Sequence, residues 1–200
     1  LLSRGLGDVY KRQVLDLRHN YGGVLESAAR IAERFIDEGV IVSTEGRGVP
    51  EIYRAQAASA TNKDLPLVVL VDGDSASASE VLAGALQDHR VAVIAGSPTY
   101  GKGMVQNIRA FQRFGTIAKV TSSYYYTPTH RNFERTAQNG KDYGIQPDVQ
   151  VPISELERSV IHRFLGRYGP PLEAITDLEA WEDEEETFLL ERHPPDPQLD

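Results

Sequence analysis

The 200-residue chain contains no cysteine. That absence excludes disulfides, thiolate metal sites and thiol catalysis, while leaving the redox compartment open. No run approaches the roughly 20 apolar residues that a membrane helix needs, and no internal repeat is visible. Basic clusters are missing too. Of the net charge of −8, ten acids against one base fall between Asp177 and Asp200, so the rest of the chain is close to neutral. No basic face points to nucleic acid. The five histidines show no paired ligand spacing, which argues against a metal centre.

What is present is the composition of one globular domain, 40% hydrophobic and 25% charged. Residues 1–13, "LLSRGLGDVYKRQ", carry no clear period, and "DVYKRQ" resembles translated sequencing adapter more than coding sequence, so the fold argument starts at Val14. On that reading the chain is a fragment whose natural N-terminal part is missing. "VLDLR" reads as a strand, "HNYGG" as a glycine turn, and Leu25, Ala28, Ala29, Ala32, Phe35 and Ile36 as the inner stripe of a helix closed by Gly39. "VIVS" (40–43) is a strand, followed by a polar irregular or hairpin stretch. "LVVLV" (67–71) is apolar on both faces, as expected of a strand inside a sheet covered on both sides. It leads through "DGDSASASE" into a helix with Val81, Leu82, Ala85 and Leu86 on one face, and "VAVIAG" (91–96) repeats the buried-strand pattern. "MVQNIRAF", "TIAKVTSSYYYTP" and "YGIQPDVQVP" read as extended, and "SELE" (154–157) caps a helix with Leu156, Val160, Ile161, Phe164 and Leu165 inward. The acidic "EDEEE" (182–186) reads as a solvated tail.

"GSPTYGKGMVQ" (96–106) has two incompatible readings. As Gly96-x-x-x-x-Gly101-Lys102 it imitates a phosphate loop, but Gly103 stands where the magnesium-binding hydroxyl belongs, and no helical stripe follows. The other reading makes Lys102 a base facing a serine. "DSASASE" leaves a buried strand and enters a helix, whose N-terminal end favours developing negative charge. Ser77-Ala-Ser-Glu80 is also a capping box, and taken alone the motif favours the cap. One helix and one returning strand separate Ser77 from Lys102, so both lie at the same edge of a parallel sheet, where ligand crevices form. A neutral lysine can take a serine proton. A solvated lysine is neutral in well under one part in a thousand at pH 7, and correcting that requires about 3 to 5 kcal/mol of desolvation and neighbouring dipoles. Gln106 can orient the pair without adding a charge, provided a turn after Gly103 brings it close; along a straight strand it would stand about 13 Å away. A His-assisted route is the rival. His89 lies at the far end of the helix, about 18 Å from its start, while His19 and His130 sit in loops that the sequence does not place.

The ordered motifs "DLRHNYGG", "LVVLVDGDSASASEVLAGALQDHRVAVIAG", "PTYGKGMVQ", "YYYTP" and "GIQPDV" resemble the C-terminal processing peptidases, or tail-specific proteases, over about Val14 to Ile153. The resemblance implies an α/β fold: a partial crotonase-like (Clp-protease-like) ββα superhelical core over 14–153, followed by a helical, acidic C-terminal extension over 154–200. It also implies a nucleophile at Ser77, a general base at Lys102 oriented by Gln106, and an oxyanion hole from the backbone N–H groups of Gly23 and Ala78. The family often has Pro at the position of Tyr21 here, and its members usually carry a PDZ domain and an export signal. A serine endopeptidase acting near protein C-termini is therefore expected, with protein or peptide substrates bearing apolar C-termini. Its location would be periplasmic or otherwise extracytoplasmic, with membrane association open. Neither metal nor other cofactor is implied. A non-catalytic peptide-binding or scaffold member, an inactive fragment, and an acyl-CoA enzyme of the same superfold are the alternatives.

Overall fold

The computed structural model describes residues 12–47, 49–111, 115–136, 140, 142–152 and, beyond them, 154, 156, 157, 159, 160 and 163. The chain divides into two units, Leu1–Pro152 and Ile153–Asp200. Along the first run β1 (Gln13–Asp16), α1 (Leu25–Ala32), β2 (Val40–Gly46), β3 (Ile52–Arg54), β4 (Leu67–Val71), α2 (Ala78–Asp88), β5 (Ala92–Gly96), β6 (Met104–Phe111), β7 (Thr116–Tyr126) and β8 (Val149–Gln150). The chain is mixed α/β. One sheet, ordered β1-β4-β5-β8, is parallel throughout; the other, ordered β3-β2-β7-β6, is antiparallel.

The parallel sheet positions the site. Leu67, Val69 and Val71 of β4 are buried in one cluster with Ala28, Ala29 and Ala32 of α1 and Val81, Leu82, Ala85 and Leu86 of α2. Small residues on α1 let the two helices and the sheet approach closely. The opposite face does not match the expectation of cover on both sides: Val68 and Leu70 are only half-buried, and Val14 and Val93 are exposed. Continuous hydrophobicity in β4 reports its central place between β1 and β5, where one face is packed and the other partly open to solvent among the described residues.

Most expected elements appear, with shifted ends. The first strand begins at Gln13, one residue inside the segment set aside as adapter, and residues 1–11 of that segment lie outside the described residues. The first helix stops at Ala32 rather than running to Ile36, because a turn takes over: Phe35 and Ile36 both donate to the Ala32 carbonyl. Their side chains still reach the core. The polar stretch after β2 does form a hairpin, through β3. His89 caps the far end of α2 and its ring N–H donates to the Val40 carbonyl (2.7 Å), so it anchors β2 and stays away from the serine end.

In the second unit Ser154 and Glu157 exchange hydrogen bonds as the expected cap does. Leu156 and Val160 are exposed rather than inward, since a helical stripe tells which face is apolar and not what covers it. Ile161, Phe164, Leu165 and the acidic run 182–186 lie outside the described residues.

Val71 and Gly96 are paired at the ends of β4 and β5, and a Cβ on Gly96, whose φ is +135°, would overlap the Val71 carbonyl. Gly96→Ala should therefore lower stability by about 2 kcal/mol or more, measured by urea unfolding, with Ala95→Gly as a milder control.

Candidate active site

Six residues, 72–77, separate the end of β4 from the start of α2, and they make a tight, crossed loop. Ser75 lies fully buried, its hydroxyl donating to the Leu17 carbonyl (2.7 Å) and accepting from the Asp72 N–H (2.9 Å). Ser79 is buried within α2, leaving Ser77 as the one partly open serine of the three. Ser77 is the N-cap residue of α2 with φ 58° and ψ −117°. A side-chain-bearing residue in this region carries about 1 to 3 kcal/mol of strain, which the surroundings must impose.

Two neighbours impose it. Gly22 is pressed on the turn: a Cβ there would stand 2.5 Å from the Ala76 carbonyl oxygen, 2.8 Å from the Ala78 nitrogen and 2.9 Å from the Ser77 Cβ. The loop is held in place by Ala76 N–H donating to the Asn20 carbonyl (3.0 Å) and by Gly22 N–H donating to the Asn20 side chain (3.0 Å). The second neighbour is Glu80, whose Oε2 accepts the Ser77 N–H at 2.8 Å.

Glu80 is wholly buried and does far more than complete a cap. Its Oε1 accepts from the Thr99 hydroxyl (2.6 Å) and the Gly101 N–H (2.6 Å), and its Oε2 accepts from Lys102 N–H (2.8 Å) as well as from Ser77. One carboxylate oxygen thus holds the main-chain nitrogens of Ser77 and Lys102 within twice 2.8 Å of each other. Burial pushes the Glu80 carboxyl above the usual glutamate range, against these hydrogen bonds, which pull it down. Beyond the lysine, Gly103 N–H donates to Glu134 Oε2 (2.6 Å), and the Glu134 carboxyl is likewise pushed up by burial and by the nearby charge of Glu80.

The glycines around the lysine follow from close backbone approach. A Cβ on Gly101, which has φ +84°, would meet the Tyr143 ring at 2.8 Å, and one on Gly103 would meet the Glu134 nitrogen at 2.7 Å. The turn is bonded to both flanks, with Arg135 N–H donating to the Gly101 carbonyl (2.9 Å) and Tyr125 N–H to the Gly103 carbonyl (2.7 Å).

The other sequence-predicted residues fall as follows. Gly23 and Ala78 both line a cavity of about 170 Å³ between α1 and α2, with Val24, Ile31 and Leu82 among its walls. The Cβ direction of Gly23 is open space. Gln106 is half-buried on β6, and its amide donates to the Met104 sulfur (3.1 Å) next to a register shift between Val105 and Gln106. His130 stacks on Tyr126. His19, at φ 57°, lies against Asp72 and Asp74, its Nδ1 2.9 Å from Asp74 Oδ2 and its main-chain N–H on Asp72 Oδ1 (3.1 Å). These three side chains present possible ligand atoms within 4.8 Å of one another, but they already bond each other and the Ser75 loop. Sequence reasoning missed Gly22, Thr99, Glu80 as a clamp, and Glu134. An acid inside the otherwise apolar run "SEVLAGAL" was the one signal available for Glu80.

The raised carboxyl of Glu80 gives a signed prediction. A group that binds its proton more tightly folded than unfolded contributes stability fully present below the unfolded value, about 4.3 for glutamate, and lost as pH rises through the folded value. Glu80→Gln removes that titration. The stability deficit of Glu80→Gln relative to the parent chain should therefore shrink between pH 4.5 and pH 8, as read by urea unfolding at each pH, and a deficit that widens would contradict the assignment.

The sequence profile of Peptidase family S41 matches residues 3–151. The carboxy-terminal-processing protease of Bartonella bacilliformis is 42% identical over 151 residues, covering 74% of this chain and 33% of that protein. The chloroplastic carboxyl-terminal-processing peptidase 2 of Arabidopsis thaliana is 41% identical over 142 residues, covering 70% and 26%. A solved structure of a photosystem II D1 C-terminal processing protease superposes with a TM-score of 0.62 at 37% identity, covering 70% of this chain and 34% of that one. The chain spans about a quarter to a third of the length of the curated relatives it matches. With the family profile matched over most of its residues, and relatives at this level of identity, the chain belongs to Peptidase family S41.

Proposed function

We propose that the chain is the catalytic core of a serine-type endopeptidase that cuts proteins near their C-termini, with Ser77 as nucleophile and Lys102 as general base. The observation that carries this reading is the shared hydrogen-bond acceptor: Glu80 Oε2 binds the main-chain N–H of Ser77 and of Lys102, so hydroxyl and amine spring from neighbouring points of two different turns. The strained backbone of Ser77 supports it, because such conformations collect where a side chain must be aimed. On this reading the fold is the crotonase-like core that the sequence motifs imply.

The chemistry runs in two halves. The neutral Lys102 amine takes the Ser77 hydroxyl proton as the oxygen attacks the peptide carbonyl, and the resulting oxyanion faces the N–H groups of Gly23 and Ala78. Collapse breaks the C–N bond, and the lysine returns the proton to the departing amine, leaving an acyl-enzyme on Ser77. A water molecule, deprotonated by the same amine, then hydrolyses the ester, and the proton passes back to Ser77. Gln106 would orient the amine after exchanging its bond to the Met104 sulfur. The substrates proposed are proteins or peptides with apolar C-termini, met in an extracytoplasmic compartment; relatives named as carboxyl-terminal-processing enzymes support protein substrates.

Ser77→Ala and Lys102→Ala should each lower kcat/KM for peptide hydrolysis by at least about a thousandfold with unfolding curves close to the parent's. A fluorophosphonate probe should label Ser77. Parent-like turnover in Ser77→Ala would remove the peptidase mechanism, and a correctly folded parent chain that neither hydrolyses peptides nor takes the label would favour a non-catalytic binding role.

A further inference from the structure

The loop that follows β1 and the loop that follows β4 are joined at one residue, Asn20. Its main-chain carbonyl accepts the Ala76 N–H (3.0 Å), and its side-chain Oδ1 accepts the Gly22 N–H (3.0 Å). Just before it, the Leu17 carbonyl accepts both the Asn20 N–H (3.2 Å) and the Ser75 hydroxyl (2.7 Å). Gly22 is thereby laid on the nucleophile turn, where a Cβ would stand 2.5 Å from the Ala76 carbonyl oxygen and 2.8 Å from the Ala78 nitrogen.

The N–H groups around this crossing divide into two kinds. That of Ser77 is taken by Glu80, that of Ser79 by the Ala76 carbonyl, and that of Gly22 by Asn20. Those of Gly23 and Ala78 meet no acceptor among the described residues. Gly23 and Ala78 are the two donors assigned above to the oxyanion, and both line the cavity of about 170 Å³ that Asn20 also lines. The Gly23 N–H belongs to the peptide unit after Gly22, so its direction follows from the backbone of Gly22, held at φ +89°. A glycine adopts positive and negative φ about equally well, so the glycine pair does not choose that direction by itself. The bond to Asn20 Oδ1 does.

The choice of an amide is informative. Asn and Asp side chains both bond the main chain two residues on, and a carboxylate accepts more strongly. A carboxylate here would place a negative charge beside the point where negative charge develops during acyl transfer. Asn20 offers the same acceptor without the charge. Asn20 is also exposed, so water can replace its side chain as a partner for Gly22, and what the bond supplies is direction more than stability.

We propose that Asn20 is a positioning residue for the oxyanion hole: its two oxygens set the Gly23 N–H beside the Ala78 N–H, and its neutral amide does so without opposing the developing charge. The proposal rests on the Ser77–Lys102 reading. Asn20 acts through Gly22 and Gly23, not on the reacting atoms.

Three variants separate the parts of this role. Asn20→Ala removes the side-chain acceptor, Asn20→Ser keeps a shorter neutral one, and Asn20→Asp keeps one of full length and adds a charge. Each is followed by the rate at which a fluorophosphonate labels Ser77, by kcat and KM for a peptide, and by urea unfolding. Asn20→Ala and Asn20→Asp should each lower the labelling rate and kcat at least about tenfold with KM close to the parent's, and Asn20→Ser should fall between them and the parent. Parent-like labelling in Asn20→Asp would overturn the proposal, because a residue that only shapes the turn is served equally by either side chain. Parent-like labelling in Asn20→Ala, or a rise in KM with kcat unchanged, would overturn it as well. Should Asn20→Ala not fold, Asn20→Asp and Asn20→Ser, which retain the bond, decide. A folded parent chain that takes no label sinks the Ser77–Lys102 reading and the proposal together, whereas a parent that labels and variants that match it sink the proposal alone.

Discussion

The Glu80 carboxylate is the constraint on which the arrangement of the site depends. It belongs to the first turn of α2, where a negative charge is favoured by the helix N-terminus, and it reaches across to the loop that follows β5. Burying an ionised carboxylate costs several kcal/mol unless its lone pairs are filled. Glu80 has four donors on two oxygens, each charge-assisted bond contributing about 1.5 to 3 kcal/mol, so its burial is offset only while Ser77, Thr99, Gly101 and Lys102 all stay in place. The cooperativity matters more than the sum. Losing any one partner leaves the others facing a less well satisfied charge, and the two turns are therefore held in register with each other rather than independently. Thr99 extends the set, since its hydroxyl also accepts the Ile145 N–H (2.7 Å) and brings the segment before β8 under the same control.

Around this clamp the chain repeatedly brings backbone against backbone. Gly22 lies on the Ala76–Ala78 main chain, Gly103 on Glu134, and Gly96 on Val71. Each contact excludes a side chain at the glycine, and those of Gly22 and Gly103 bring main chain against the turns that carry Ser77 and Lys102. Such walls have fixed dipoles, which suits a site that has to stabilise charge without reorganising. Strain at Ser77 is sustained in the same way: Gly22 presses from one side while Glu80 holds the N–H from the other. The parallel pairing of β4 with β5 makes this possible, because it delivers two loops to one edge from strands whose own registers are fixed by a buried valine, isoleucine and leucine face.

The parts legible in the sequence were those with a local signature. Buried strands showed as short apolar runs, α2 as a stripe at 3.6-residue spacing, and the lysine turn as paired glycines. Ser77 was singled out among its neighbours by the resemblance to the family, and the other two serines proved to be buried. What the sequence could not disclose depends on distant segments. Glu134 reaches the lysine turn only because the β6–β7 hairpin returns the chain to it, and no period or spacing encodes that return. Glu80 was visible only as a cap because its other partners come from another loop. The expected approach of Gln106 meets a register shift on β6 and a bond to Met104, features of pairing rather than of composition. Cover on both faces of β4 was inferred from hydrophobicity, which records the absence of polar groups and not the presence of a neighbour.

The surroundings of Lys102 set two effects against each other. A neutral amine requires about 3 to 5 kcal/mol of work against its proton at neutral pH, and desolvation can supply that much. A neighbouring carboxylate acts in the opposite direction, because it favours the charged form of an amine. Burial pushes the carboxyls of Glu80 and Glu134 above the usual glutamate range, against the hydrogen bonds that pull them down. On the Ser–Lys reading, the two turns act as one unit, because Glu80 Oε2 holds the main-chain nitrogens of Ser77 and Lys102 together.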